Sequence, residues 1–321
     1  MFLFEPTGRL WDLAILLLLE TSFCVALCCL LVRRLLPKAR RRTRGLFLCL
    51  EWAGIAAFLV VFYGSFIEPH ILVVTRHQAA FPAQLTVAVI SDLHVGPYKG
   101  ASFVKRVVSQ TDALHPDLIL LAGDFVFTES ANRSLMSDLE PLRALHAPLG
   151  VFAVLGNHDL GHTEGDEIDR SRSIEQALLS MDVHILRNTH ETLTLPDGTR
   201  VALAGVDDPV GSQMYRTSRA LSGIPAAMPV ILLSHSPDVA LDPASRRAQL
   251  IVAGHTHGGQ IRLPFLGPIL PIPDRLGNAY DQGIFRIGTG SLLAITRGAG
   301  ESSVRARLLA WPEVMLLKLG K

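Results

Sequence analysis

Beyond Cys49 the sequence has no cysteine. All four, Cys24, Cys28, Cys29 and Cys49, lie in two N-terminal apolar stretches. The rest of the chain therefore needs no disulfide and tolerates either redox compartment. It also lacks a charge bias: residues 68–321 carry 22 Lys and Arg against 25 Asp and Glu, a net −3. No basic face for nucleic acid is expected from that balance. Internal repeats and low-complexity linkers are missing too, so residues 68–321 read most simply as one domain, although a length of 321 residues would also allow two.

What the chain has in excess is hydrophobicity, concentrated in residues 1–67. Residues 13–32 and 46–67 each reach the roughly 20 residues that a helix needs to cross a bilayer. Between them, residues 33–45 hold seven basic residues and no acid, the kind of short loop that stays in the cytoplasm. The pair reads as a transmembrane hairpin, making a two-pass membrane protein with residues 68–321 on the extracytoplasmic side. A cleaved signal peptide is the competing reading. Against it, only Arg9 precedes the first run as a basic residue, and no Ala-x-Ala-like site follows the second near Tyr63-Gly64-Ser65. The basic loop serves as a topology signal and can also meet anionic membrane lipids. Glu20 and Glu51 are costly inside such segments. Glu51 is close enough to the arginine loop to pair there, while the sequence offers no account of Glu20.

From residue 68 onward short β-rich runs alternate with helical patterns. Strands are expected at 85–90, 117–121, 151–155, 183–186, 230–233, 249–252 and 314–319. A hairpin of 192–195 with 200–204 turns at Pro196-Asp197-Gly198. Helices are expected at 102–114, capped by Ser102, and around 135–145 and 174–181. The alternation predicts a layered α/β fold.

Five of the strands run directly into polar residues. They are Ser91-Asp92-Leu93-His94, Gly123-Asp124, Gly156-Asn157-His158-Asp159, Ser234-His235 and Gly254-His255-Thr256-His257. In layered α/β folds ligands bind at strand ends along one sheet edge, so these five ends are expected to converge. Alternate residues of an extended segment face the same way, which lets Asp92 and His94, or His255 and His257, point at one target. Mixed carboxylate and imidazole donors suit Mn²⁺, Fe²⁺ or Zn²⁺. A carboxylate can bridge two metals about 3.5–4 Å apart, and Asp124 is the candidate bridge.

Taken in order, Asp-x-His, Gly-Asp, Gly-Asn-His-Asp, His and Gly-His-x-His resemble the calcineurin-like metallophosphoesterase superfamily over roughly residues 85–260. Gly258-Gly259-Gln260-Ile261-Arg262-Leu263-Pro264 looks like its membrane-associated or exported bacterial branch. The resemblance implies two β-sheets flanked by helices, following the two transmembrane helices, and a dinuclear-metal-dependent phosphoester hydrolase, a phosphodiesterase or diphosphatase. It further implies one metal on Asp92, His94, Asp124 and His257 and a second on Asp124, Asn157, His235 and His255. A metal-bridging hydroxide would be the nucleophile. His158 would be the acid at the leaving oxygen, with Asp159 as its orienting partner. The substrate would be a phosphoester, lipid-linked if the membrane supplies it.

Departures narrow the family. Gly123-Asp124 continues as Phe125-Val126-Phe127-Thr128-Glu129, not as the x-x-Asp-Arg-Gly of protein phosphatases. Phe127 also stands where purple acid phosphatases carry a tyrosine ligand. Related UDP-diacylglucosamine hydrolases and cyclic-nucleotide phosphodiesterases share the motifs, and their nucleotide substrates would require a cytoplasmic site. A metal-binding membrane protein without catalysis is the rival of another class. His70, His77, His115, His146, His162, His184 and His190 read as structural. Asp112, Asp117, Asp138 and Asp166 read as solvated or capping residues. Asp207 and Asp208 do as well, although they follow an apolar run and could support the site. The apolar segment 263–273 is expected to pack on the domain, with contact to a lipid-like substrate as the alternative.

Overall fold

The computed structural model describes all residues except 1–5, 38–39, 97, 128–132, 162–168, 211–214, 289, 303 and 321. The expectations for Thr128, Glu129, His162 and Asp166 lie outside the described residues.

Two helices come first, α1 (Pro6–Leu35) and α2 (Arg41–Phe62). They pack on each other, and two stretches, Asp12–Leu35 and Arg41–His70, are long and apolar enough to cross a membrane. Glu51 pairs with Arg33, Nε to Oε2 at 2.8 Å, as its proximity to the arginine loop suggested. Glu20 is exposed on the helix surface.

The next elements are β1 (Val73–Ala80), β2 (Leu85–Ile90), α3 (Ala101–Asp112), β3 (Leu118–Ala122), α4 (Arg133–Asp138), β4 (Val151–Val154), α5 (Asn157–Leu160), α6 (Ser171–Ser180) and β5 (His184–Ile185). Then come β6 (Thr189–Thr194), β7 (Arg200–Gly205), α7 (Thr217–Ala220), β8 (Val230–Leu233), β9 (Leu250–Ala253), β10 (Arg262–Leu263), β11 (Gly267–Pro268), β12 (Gly283–Ile287), β13 (Ser291–Ile295) and β14 (Glu313–Gly320).

Two six-stranded sheets result, ordered β1-β14-β2-β3-β4-β5 and β12-β13-β9-β8-β7-β6. In the first, β2 to β5 are parallel; in the second, β7, β8, β9 and β13 are. Side chains alternate across each strand. Val87 and Val89 therefore join Leu120, Leu203, Ile231 and Val252 in a core between the sheets. Ala88 and Ile90 face outward instead, where Val104 and Val107 of α3 and Ile174 and Leu178 of α6 cover them. Strands buried on both faces explain the unbroken apolar runs at 118–122, 230–233 and 250–253. The layered α/β sandwich expected from the sequence is thus present.

Local details differ. Ser102 does not cap α3: Gly100 occupies the cap position, and Asp138 Oδ1 accepts the Ala101 N–H at 3.0 Å. The helix expected around 135–145 breaks after Asp138 and resumes as a 3₁₀ turn, Glu140–Ala144, with Pro141 near its start. Segment 263–273 packs inward at Ile272 but leaves Phe265, Leu266, Ile269 and Leu270 exposed.

Candidate metal centre

The ends of β2, β3, β4, β8 and β9 place the five polar motifs together. Asp92, His94, Asp124, His255 and His257 all adopt left-handed backbone, with φ of 54, 44, 54, 67 and 51°. That conformation is costly for such residues and persists only where the surroundings enforce it, commonly at functional sites. The enforcement is visible. Asp92 N–H donates to Gly123 O, His94 N–H to Asp124 O, and Gly254 N–H to His235 O, tying each loop to its neighbour.

The side chains are buried and converge in three groups that could each hold a metal ion: Asp92, His94 and His257; His94, Asp124 and His158; Asp124, His235 and His255. His94 Nε2 lies 3.2 Å from His257 Nε2, and His235 Nε2 lies 3.1 Å from His255 Nδ1. Two nitrogens bound to one tetrahedral ion at about 2.05 Å stand about 3.3 Å apart, so both spacings suit a shared cation. Asp92 Oδ1 is 3.5 Å from His257 Nε2 and has no hydrogen-bond partner, which leaves a buried lone pair for the same purpose. Asp124 Oδ2 stands between the groups, 3.5 Å from His94 Nε2 and 3.2 Å from His235 Nε2. Asn157 Oδ1 is 3.0 Å from His235 Nε2, on the second side. The donor set and its spacing fit two divalent cations.

Electrostatics point the same way. Burial, opposed by Asp124, holds His94 well below the usual imidazole range; burial and the neighbouring His94 and Arg307 do the same for His257. Burial also takes His255 down to about 3. These rings are neutral donors. For His235 burial works in the same direction, but the Asp124, Asp92 and Asp208 carboxylates outweigh it and raise the group. His235 Nδ1 lies 2.7 Å from Ala122 O and donates to it, and the carboxylates that raise the ring favour positive charge at its Nε2, whether a proton or a cation.

His158 sits at the edge. Its N–H donates to Asp124 Oδ1 at 3.0 Å, and its ring meets His94 edge-on at 4.9 Å between centroids. Phe127 also packs edge-on against His94. The orienting contact expected between Asp159 and His158 is not among the described hydrogen bonds of Asp159. Its carboxylate instead accepts the N–H groups of Asp124 (2.9 Å), Phe125 (2.9 Å) and Gly156 (3.0 Å), clamping the β3 and β4 ends together. Burial and the Asp124 charge push Asp159 up to about 7.

Three residues went unnoticed in the sequence or were undervalued there. Asp274 Oδ1 lies 3.6 Å from His255 Nε2 and accepts the Ser236 hydroxyl at 2.9 Å. Asp208 is fully buried and raised to about 8, chiefly by burial, whereas its neighbour Asp207 pairs with Arg187 at 2.8 Å. Arg307, also fully buried, donates to the carbonyls of Gly300, Ala310 and Arg297. Burial lowers it to about 10. By contrast, His70, His77, His115, His146, His184 and His190 stand outside every candidate metal group among the described residues.

The family model of the calcineurin-like phosphoesterases matches residues 85–259, more than half of the chain. The chain belongs to that family. It is a metal-dependent phosphohydrolase of the bacterial metallophosphoesterase type. It is 30% identical to the uncharacterized metallophosphoesterase YkuE of Bacillus subtilis (strain 168), over 87% of this chain and 96% of that one. It is 31% identical to the phosphodiesterase YaeI of Escherichia coli (strain K12), over 86% and 99% of the two chains. A third relative, the UDP-2,3-diacylglucosamine pyrophosphatase LpxG of Chlamydia trachomatis, is 28% identical over 82% and 94%. The family match runs from the first residue of β2 to the turn after His257, so it takes in all five strand ends.

Proposed function

We propose that the chain hydrolyses a phosphodiester or diphosphate bond of a lipid-linked substrate at the membrane surface. Asp92, His94, Asp124 and His257 would hold one cation, and Asp124, Asn157, His235 and His255 the other. The observation that carries this reading is the Asp124 carboxylate, placed between His94 and His235 at 3.5 and 3.2 Å. Two bound divalent cations would supply a water of lowered pKa and charge stabilisation for in-line displacement at phosphorus. Asp124 keeps the two groups in register, Asp159 fixes the loop that carries Asp124, and His158 protonates the leaving oxygen. Residues 1–67 would be a two-pass anchor, with 68–321 as an extracytoplasmic catalytic domain.

Asp124→Asn is expected to lose turnover of chromogenic phosphoesters in metal-replete buffer while remaining folded; retained hydrolysis would sink the mechanism. His158→Ala is expected to keep its metal and lose roughly 10²–10⁴-fold in kcat. The relative named a UDP-2,3-diacylglucosamine pyrophosphatase favours a second reading, in which the bond is a nucleotide diphosphate joined to a diacylated sugar. That substrate requires the site to face the cytoplasm. A reporter fused after Lys321 that works only in the cytoplasm would select the second reading.

A further inference from the structure

The metal centre continues into an apolar projection. Directly after His257 and the turn that follows it, the chain forms the small antiparallel pair β10–β11. At its tip Phe265 is 107% exposed and Leu266 78%. Phe265 has left-handed backbone (φ 67°), as does the adjacent exposed Leu309 (φ 56°). A bulky apolar side chain held out to solvent by a strained backbone gains nothing from the fold of a soluble protein. Behind the tip lies an open cleft of about 510 Å³, within the size range of ligand sites. Arg262 and Asp281 line it and pair with each other, and Arg262 also donates to Gly258 O at 2.7 Å, one residue after His257. Phe265, Leu266 and Leu309 supply apolar side chains to the same lining.

The base of this projection rests on the membrane hairpin. Ile261 packs against the buried cluster of Ile15 from α1 with Val304 and Ala306, against which Leu19 of α1, Val61 of α2 and Phe66 also pack. Arg262 N–H donates to Leu308 O at 2.9 Å. The level of the bilayer edge can be read beside it. The first candidate span starts at Asp12, and Asp12 Oδ2 accepts the Tyr98 hydroxyl at 2.7 Å. Trp311 Nε1 donates to the Tyr63 hydroxyl at 3.3 Å where α2 ends. Tyr and Trp with polar tips gather at the membrane–water boundary. Leu309, which lines the same cleft as Phe265 and Leu266, is two residues from Trp311.

We infer that the β10–β11 tip seats in the bilayer at the headgroup–acyl boundary, and that the cleft behind it takes an acyl chain of the lipid-linked phosphoester. The second half rests on the lipid-linked reading above. In that arrangement the acyl chain lies against Phe265, Leu266 and Leu309, and the phosphate reaches the centre past Arg262 and Gly258.

The test uses the full chain in phospholipid nanodiscs. A p-benzoylphenylalanine placed at Phe265 is expected to form lipid adducts on irradiation at least tenfold more often than one at Leu179. Leu179 is an apolar residue on α6, 60% exposed, and α6 packs on β5 at the sheet edge opposite β1. Equal adduct yields overturn the seating, whatever the activity. In parallel, the exposed pair F265S/L266S is expected to lose at least tenfold in kcat/KM on a diacyl phosphodiester in the disc, and to stay within twofold on soluble bis(p-nitrophenyl) phosphate. Unchanged kcat/KM on the lipid ester overturns the acyl role of the cleft. If the unaltered chain cleaves the soluble diester but no lipid ester, the lipid-linked substrate falls together with the acyl role, while the adduct comparison still decides the seating alone.

Discussion

Gly254→Ala should damage the protein through one identifiable clash. Gly254 has no positive φ, so the reason for glycine is space rather than backbone freedom. A Cβ there would stand 1.9 Å from Ser91 Oγ, 2.7 Å from Ser91 Cβ and 2.7 Å from Asp92 Oδ2. Ser91 must rotate away from the buried Ala122 carbonyl that it now meets at 3.0 Å, which costs about 1–3 kcal/mol. Overpacking of a tight interior adds about 1–3 kcal/mol. At about 2–4 °C per kcal/mol the roughly 2–6 kcal/mol total lowers Tm by roughly 4–24 °C. Asp92 must shift as well, and with it the carboxylate that accepts the His255 N–H at 3.1 Å. A misplacement of about 1 Å at a catalytic group is worth about 10²-fold in rate. The assays are thermal unfolding in detergent, metal content by elemental analysis, and diester hydrolysis. Gly198→Ala is the control: its φ is +83° but no atom lies within 4 Å, so only the backbone cost of about 1 kcal/mol applies and activity stays. Ser91→Gly in the Gly254→Ala background removes two of the three contacts and should recover part of the Tm. A Gly254→Ala protein with unchanged Tm and full metal content would refute the reasoning.

Two other outcomes follow from the site. Asp274→Asn removes the charge facing His255 Nε2 at 3.6 Å and should weaken binding of the second cation about 10–100-fold, read by competition with a chelating dye; unchanged affinity would show the carboxylate to be irrelevant to the metal. Chelation should lower Tm, because it withdraws a partner from Asp92 Oδ1, which is buried without a hydrogen bond. With free metal a hundredfold above its Kd, each site contributes about 2.7 kcal/mol, so a Tm unmoved by chelator would count against metal at the centre.

The site motifs were legible because each is short and contiguous, and because the buried strands before them announce themselves as unbroken apolar runs. The strands β1, β12 and β13 were not. β1 reads Val-Val-Thr-Arg-His-Gln-Ala-Ala, whose mixed composition suits an edge, and only its pairing with the far C-terminal β14 makes it a strand. Asp274 was hidden by distance: it lies 19 residues after His255 in a Pro-rich loop, with no local signal of the fold that returns it to His255. The cap of α3 is hidden for the same reason, since Asp138 approaches Ala101 from another element. For Asp159 the sequence offers only adjacency to His158. A one-residue spacing on a short helix says nothing of direction, and the side chain points back to the β3 loop.

Arg307 shows most fully what contiguity conceals. Its N–H donates to Gly64 O at the end of the hairpin, and next to it Ala310 N–H donates to the buried Glu68 carboxylate at 2.7 Å. Its guanidinium turns inward to Gly300 O and reaches within 3.4 Å of His257 Nδ1. Residues 298–300 in turn wall the centre: Ala299 N–H donates to Ser91 O at 2.9 Å, and a Cβ on Gly298 would lie 2.6 Å from Asp92 Cβ. One segment, 297–311, therefore contacts the end of the hairpin with one side and the first candidate metal group with the other. An arginine can be this deeply buried because the carbonyls of Gly300, Ala310 and Arg297, within the segment itself, accept its guanidinium protons, while its backbone N–H reaches the hairpin.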